Sequence, residues 1–121
     1  MENDLVAVYG SLREGLHNHG VISRHDPEFV GLTRISGFKM HSFGPYPFIT
    51  HGDGSVLAEV YRVPSTDCAD DLDMLEGYPS YYDREQVETE FGTAWVYFID
   101  GETGYPEVPE GDWKEFYTGS W

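Results

Sequence analysis

An α+β domain whose sheet curls into a small mixed β-barrel, with one or two helices packed on it, is the fold class this sequence predicts. Three observations carry it: strand-length segments rich in Val, Ile, Tyr and Phe, one strong helix signal in mid-chain, and Gly, Pro and Asp clusters between them. The 121 residues make one domain, 1–121, large enough to bury roughly two thirds of the surface its unfolded form exposes. No repeat, linker or low-complexity segment interrupts it.

Leu5-Val6-Ala7-Val8-Tyr9 is an apolar run of β-forming residues that Gly10 stops after five positions, the length of a buried strand. Gly10 admits backbone angles closed to other residues, and Gly15 ends the segment. The amides of Gly10, Ser11 and Leu12 can therefore converge on one concavity suited to an anionic group. Residues 16–22 have Leu16, His19 and Ile22 spaced by three and read as one or two helical turns. Residues 29–35 and 38–43 read as two strands parted at Gly37, and Gly44-Pro45-Tyr46-Pro47 forces an extended segment because proline donates no hydrogen bond.

Phe48-Ile49-Thr50 resumes a strand, His51-Gly52-Asp53-Gly54 reads as a turn, and residues 55–63 form the clearest strand. Its two sides are both largely apolar, which predicts a central position. Glu59, between Leu57 and Tyr61, is then either paired in the interior or lines a cavity.

Pro64-Ser65-Thr66 opens the best helix, with Asp67, Asp70 and Asp71 near the positive end of its dipole. Glu76 is its last residue, since Gly77 is a natural stop and Pro79 prevents continuation. Residues 82–91 and 93–99 read as a hairpin joined at Gly92. From residue 100 onward the chain turns Gly-rich, acidic and aromatic, a surface tail anchored by Trp113, Phe116 and Tyr117.

Seven Lys and Arg against 22 Asp and Glu give a formal net charge of -15, which argues against nucleic acid and anionic membranes as partners. The same field favours a cationic or amine-bearing ligand, or simply aids solubility. An anionic ligand would need local donors such as the loop amides or Arg13. A single cysteine, Cys68, predicts no disulfide, and the acidic Met1-Glu2-Asn3-Asp4 start resembles neither a signal peptide nor a membrane span. The expected compartment is the cytoplasm; the oligomeric state is left open.

Among carboxylates, Glu76 stands out. A helix C-terminus presents unpaired carbonyls and Asp73 lies three residues before it, so its ionised form is disfavoured and its pKa should rise. A general acid and base working near neutrality needs that direction. The plainer alternative is a solvent-facing residue ahead of a stop signal. Ser11 is a turn residue rather than a hydrolase nucleophile, because Arg13 stands where a G-x-S-x-G elbow needs Gly. His17 and His19, with His25, His41 and His51, lack metal-ligand spacing, and no metal site is expected.

Val8-Tyr9-Gly10-Ser11-Leu12-Arg13, Asn18-His19, Gly44-Pro45-Tyr46-Pro47, Ala58-Glu59-Val60-Tyr61, Leu72-Asp73-Met74-Leu75-Glu76-Gly77-Tyr78-Pro79 and Tyr82-x-Arg84 follow one another in an order that resembles the gamma-glutamylcyclotransferase-like superfamily. The subgroup resembled holds the gamma-glutamylamine cyclotransferases and AIG2-like proteins. The resemblance implies a barrel-like fold with the Tyr9-Gly10-Ser11-Leu12 loop on one wall of a cavity and Glu76, matching the family's catalytic acid, on another. It also implies release of an amine from a gamma-glutamyl small molecule with formation of 5-oxoproline, without cofactor. Ala58 departs from the family, which usually has Gly there, and narrows the cavity in this reading.

On that reading Tyr9, Tyr82 and Tyr117 either line the cavity with hydroxyls or are core aromatics, and Arg13 either contacts the substrate carboxylate or is solvated. Glu59 is read as structural. The competing reading is a noncatalytic small-molecule binding or interaction module on the same scaffold.

Overall fold

The computed structural model describes residues 5–10, 27–42, 47–63, 74, 82–101, 104–108 and 111–113. Among them run five strands: β1 (Leu5–Val8), β2 (Glu28–Ser42), β3 (Pro47–Arg62), β4 (Asp83–Thr89) and β5 (Gly92–Phe98). They form one sheet in the order β2-β3-β1-β5-β4. β1 is antiparallel to β3 and parallel to β5, so the sheet is mixed. Every residue of β1 is buried, as expected for an apolar run with a strand on each side.

The α+β class is as expected, and among the described residues the expected small mixed barrel is a curled sheet that does not close. The edge strands β2 and β4 are not hydrogen-bonded neighbours. The sheet nevertheless curls: Phe91, at the β4–β5 turn, lies so close to Gly31 on β2 that a Cβ at Gly31 would collide with its ring. At the other end Ile99 donates its amide to Ile49 O at 2.9 Å, so the start of β3 meets the end of β5 just beyond the point where β1 stops.

Two strands that the sequence splits are continuous. Ser36 pairs with Ser55 and Phe38 with His51, so Gly52, Asp53 and Gly54 together oppose Gly37 alone. The expected turn at residues 51–54 is therefore a bulge inside β3. Gly37 sits at φ +90°, a conformation costly for other residues, and the Lys39 stem lies over Gly52 and Gly54. A second bulge, at Val30, falls between the Phe29–Tyr61 and Gly31–Val60 pairs. Bulges sharpen the bend and twist of a strand, which lets β3 cross both β1 and the end of β5.

The sheet carries an apolar cluster on each side. Ala7, Ile35, Met40, Ile49, Val56, Ala58, Val60, Val96 and Trp113 belong to one; Val6, Val8, Phe48, Tyr61, Val63, Tyr82, Tyr97 and Ile99 to the other. The C-terminal segment is more than a surface tail. Ser42 donates to Pro106 O, Val108 to Met40 O and Leu57 to Gly111 O at 2.8–2.9 Å, and Trp113 is buried as an anchor. The 82–91 and 93–99 hairpin is observed as β4 and β5. The predicted helices at 16–22 and 65–76 lie outside the described residues, apart from Met74, which is helical and exposed.

Candidate active site

β1 delivers the Tyr9-Gly10 motif to one end of the sheet. A Cβ on Gly10 would lie 2.5 Å from Pro47 Cγ, so this position tolerates only the absence of a side chain. Pro47 begins β3, and its carbonyl accepts a hydrogen bond from Tyr82 Oη at 2.7 Å. Three separate sequence segments thus meet here: the end of β1, Pro47 at the start of β3 and the tyrosine preceding β4. Tyr9 Oη donates to Tyr97 O at 2.7 Å, fastening the same corner to β5.

Tyr9 and Tyr82 are both buried and both commit a hydroxyl proton to a backbone carbonyl. They hold the corner together as core aromatics with bonded hydroxyls. Ser11, Leu12, Arg13, Glu76 and Tyr117 lie outside the described residues.

Glu59 is buried and accepts a hydrogen bond from Tyr61 Oη at 2.9 Å. Of its two expected environments, the paired one is observed. Glu59 stands opposite Val8 on β1 and Leu32 on β2, on the side of the sheet that carries Tyr61. Two residues separate it in register from the Gly10 corner. Its hydroxyl partner offsets part of the cost of burying this carboxyl beside that corner. Ala58, the neighbour on β3, packs in the opposite cluster with Ala7 and Trp113. Alternation along β3 therefore sets its methyl on the opposite side of the sheet from Glu59.

Arg84, of the Tyr82-x-Arg84 motif, is half-buried on β4 with its guanidinium 5.0 Å from the Trp95 ring centroid, a cation–π contact. It pairs with Tyr97, which belongs to the tyrosine-bearing cluster.

Sequence reasoning missed a second group. His51 Nδ1 lies 2.7 Å from Asp100 Oδ2, and Nε2 lies 2.6 Å from Glu85 Oε1. Asp100 also accepts from Thr50 Oγ1 at 2.7 Å and from the His51 amide at 3.0 Å. The hydrogen bond to Asp100, then that to Glu85, raises the His51 pKa above its ordinary 6.5, against a smaller opposing effect of burial. For Asp100 burial acts upward, but the bonds from Thr50 and His51 outweigh it and the carboxyl is held below its ordinary 3.8. The three residues come from β3, β4 and the segment after β5, and nothing local in the sequence links them. Among the described residues no group of His, Cys, Asp and Glu is arranged to hold a metal ion, and no helix is long and apolar enough to cross a membrane.

A small mixed sheet, entered by a buried central strand that ends in Tyr-Gly against a proline, defines a fold class with solved members. A crystal structure of an uncharacterised protein from Pyrococcus horikoshii superimposes with a TM-score of 0.83 at 26% identity, over 97% of this chain and 95% of that one. Residues 6–115 match the family described as gamma-glutamyl cyclotransferase, AIG2-like, and the chain belongs to that family. Its relatives include a candidate gamma-glutamylcyclotransferase of Vibrio cholerae serotype O1, 36% identical over 110 residues covering 90% of this chain and 94% of the relative. The gamma-glutamylcyclotransferase family protein YtfP of Escherichia coli K12 is 32% identical over 91% of this chain and 96% of its own length.

Proposed function

We propose that this chain is a cofactor-independent cyclotransferase of the cytoplasm that releases an amine from a gamma-glutamyl amine or related isopeptide and forms 5-oxoproline. The observation that supports it most is the meeting of Tyr9-Gly10, Pro47 and Tyr82, three of the motifs on which the family resemblance rests, at one corner of the sheet.

The substrate supplies its own nucleophile. Its α-amine closes a five-membered lactam on the γ-carbonyl, and well-oriented intramolecular attack of this kind reaches effective molarities of about 10^5 M or more. The protein has to fold the substrate and move protons. Glu76 takes a proton from the α-ammonium, the nitrogen bonds to the γ-carbon, and the carbonyl oxygen becomes an oxyanion. Collapse of that intermediate breaks the bond to the departing amine, which receives one proton back from Glu76 and leaves as ammonium by taking the second from the ring nitrogen, so that the lactam keeps a single N–H. The amides of Gly10, Ser11 and Leu12 stabilise the oxyanion or hold the α-carboxylate, a contribution of about 3 kcal/mol per donor when the donor acts on the transition state. Arg13 adds a charge-assisted contact to the carboxylate. Tyr117 contributes a hydroxyl to the lining of the cavity.

Incubation of the protein with panels of gamma-glutamyl amines and gamma-glutamyl amino acids, assayed for 5-oxoproline, tests this reading. Turnover should appear with at least one panel member and fall by about 100-fold or more in Glu76→Gln. Full activity in that variant would remove Glu76 from its role, and absence of turnover across both panels would favour a noncatalytic binding module.

A further inference from the structure

The His51 cluster imposes a chemical requirement that its geometry alone states. Nδ1 and Nε2 each face a carboxylate oxygen, at 2.7 and 2.6 Å. A neutral imidazole carries one N–H, so one of these contacts would set a ring lone pair against a carboxylate. Only the imidazolium donates to both. The ring is held in place by Phe38, with centroids 4.8 Å apart, and by Phe98 at 4.9 Å in an edge-on arrangement.

Its position gives this requirement a consequence. His51 closes the first half of β3, the stretch that starts at Pro47 and lies against Ile99 at the end of β5. Glu85 belongs to β4 and Asp100 follows β5. We propose that His51 is a protonation-dependent clasp: as imidazolium it ties Glu85 and Asp100 to the first half of β3 and so holds Pro47 against Gly10; as neutral imidazole it can hold only one of the two. The clasp is a positioning device for the Tyr9-Gly10 corner, and its bearing on turnover rests on the proposed function.

Among the described residues, few charged groups lie on the elements that pack around the ring. β4 contributes Glu85 and, two residues before it, Asp83, which accepts a hydrogen bond from the Arg84 amide. β2 contributes Lys39, whose stem lies over Gly52 and Gly54. β3 contributes Asp53 in the bulge, and the segment after β5 contributes Asp100. The raised His51 pKa agrees with the geometry and sets the sign. The clasp is fully formed below pH 6.5 and weakens as pH rises through the folded-state midpoint. On the acid side Asp100, held below 3.8, releases its bonds only as pH falls through its own folded-state midpoint.

The test combines NMR titration of the imidazole, thermal melts across pH, and kinetics. His51 should titrate above 6.5, with Glu85→Gln and Asp100→Asn each bringing the midpoint down. Wild type should melt about 3–6 °C above His51→Gln near pH 6, a gap that closes as pH rises through the midpoint. KM for a gamma-glutamyl amine should rise severalfold across the same interval in wild type and stay flat in His51→Gln. A midpoint at or below 6.5, or a melting profile whose pH dependence survives intact in His51→Gln, would overturn the clasp. The first two measurements need no turnover, so loss of the cyclotransferase reading alone would leave them standing.

Discussion

On one side of the sheet Ile35, Met40, Val56, Val60, Val96 and Trp113 form an apolar layer, whereas the other side sets Glu59 and the hydroxyls of Tyr61 and Tyr82 among Val6, Val8 and Phe48. Both layers are buried, and the first holds the Tyr9 hydroxyl bonded to Tyr97 O, but among the described residues only the second carries a buried carboxyl, Glu59, the more costly group to bury without hydrogen-bond partners. The partners on that side are a tyrosine hydroxyl for Glu59 and a β3 carbonyl for Tyr82. The first layer exists to hold the sheet together. The second accepts a more expensive composition at the corner where the family motifs meet, which is where a departure from simple core chemistry points to function.

The contrast can be broken from either side. Trp113→Ala removes the largest fully buried side chain among the described residues and should destabilise the fold by about 3–5 kcal/mol, read from denaturant melts, while leaving kcat per folded molecule close to wild type. Gly10→Ala drives a methyl into Pro47 and should cost about 1–3 kcal/mol, with a fall in turnover that outruns the loss of stability. If turnover survived Gly10→Ala unchanged, the corner would be scaffolding only. Tyr61→Phe leaves Glu59 buried with one hydrogen bond fewer and should cost about 1–3 kcal/mol, read from denaturant melts at neutral pH. Tyr82→Phe should lose about 0.5–1.5 kcal/mol, the usual worth of one hydrogen bond, and loosen Pro47 rather than the Trp113 layer.

Much of this arrangement is legible before the fold is seen. The run from Leu5 to Tyr9 reads as a buried strand and is one, because an unbroken apolar stretch of that length has few other places to go. The pairing of Glu59 follows from the period of a strand that is apolar on both sides. Trp113 reads as an anchor on size and hydrophobicity alone. What escapes is register. Gly52-Asp53-Gly54 carries every local mark of a turn, and only the partner strand, with Gly37 alone opposite, makes it a bulge. The same bulge bends β3 so that His51 reaches Asp100, 49 positions away, a proximity no periodicity encodes. Closure of the barrel is likewise a matter of register: among the described residues curling brings Phe91 against Gly31, with no hydrogen-bonded ladder between β2 and β4.

The central claim is that ligand chemistry belongs to the side of the sheet that carries Glu59 and Tyr82. It is tested most directly by following backbone amide and Trp indole NMR signals of the Glu76→Gln protein during titration with a gamma-glutamyl amine and with 5-oxoproline. The Gly10 amide and signals from residues beside Pro47, Glu59 and Tyr82 should move together and saturably, while the Trp113 indole stays in place. Saturable shifts centred on Trp113 and the layer around it, with Gly10 unmoved, would contradict the account.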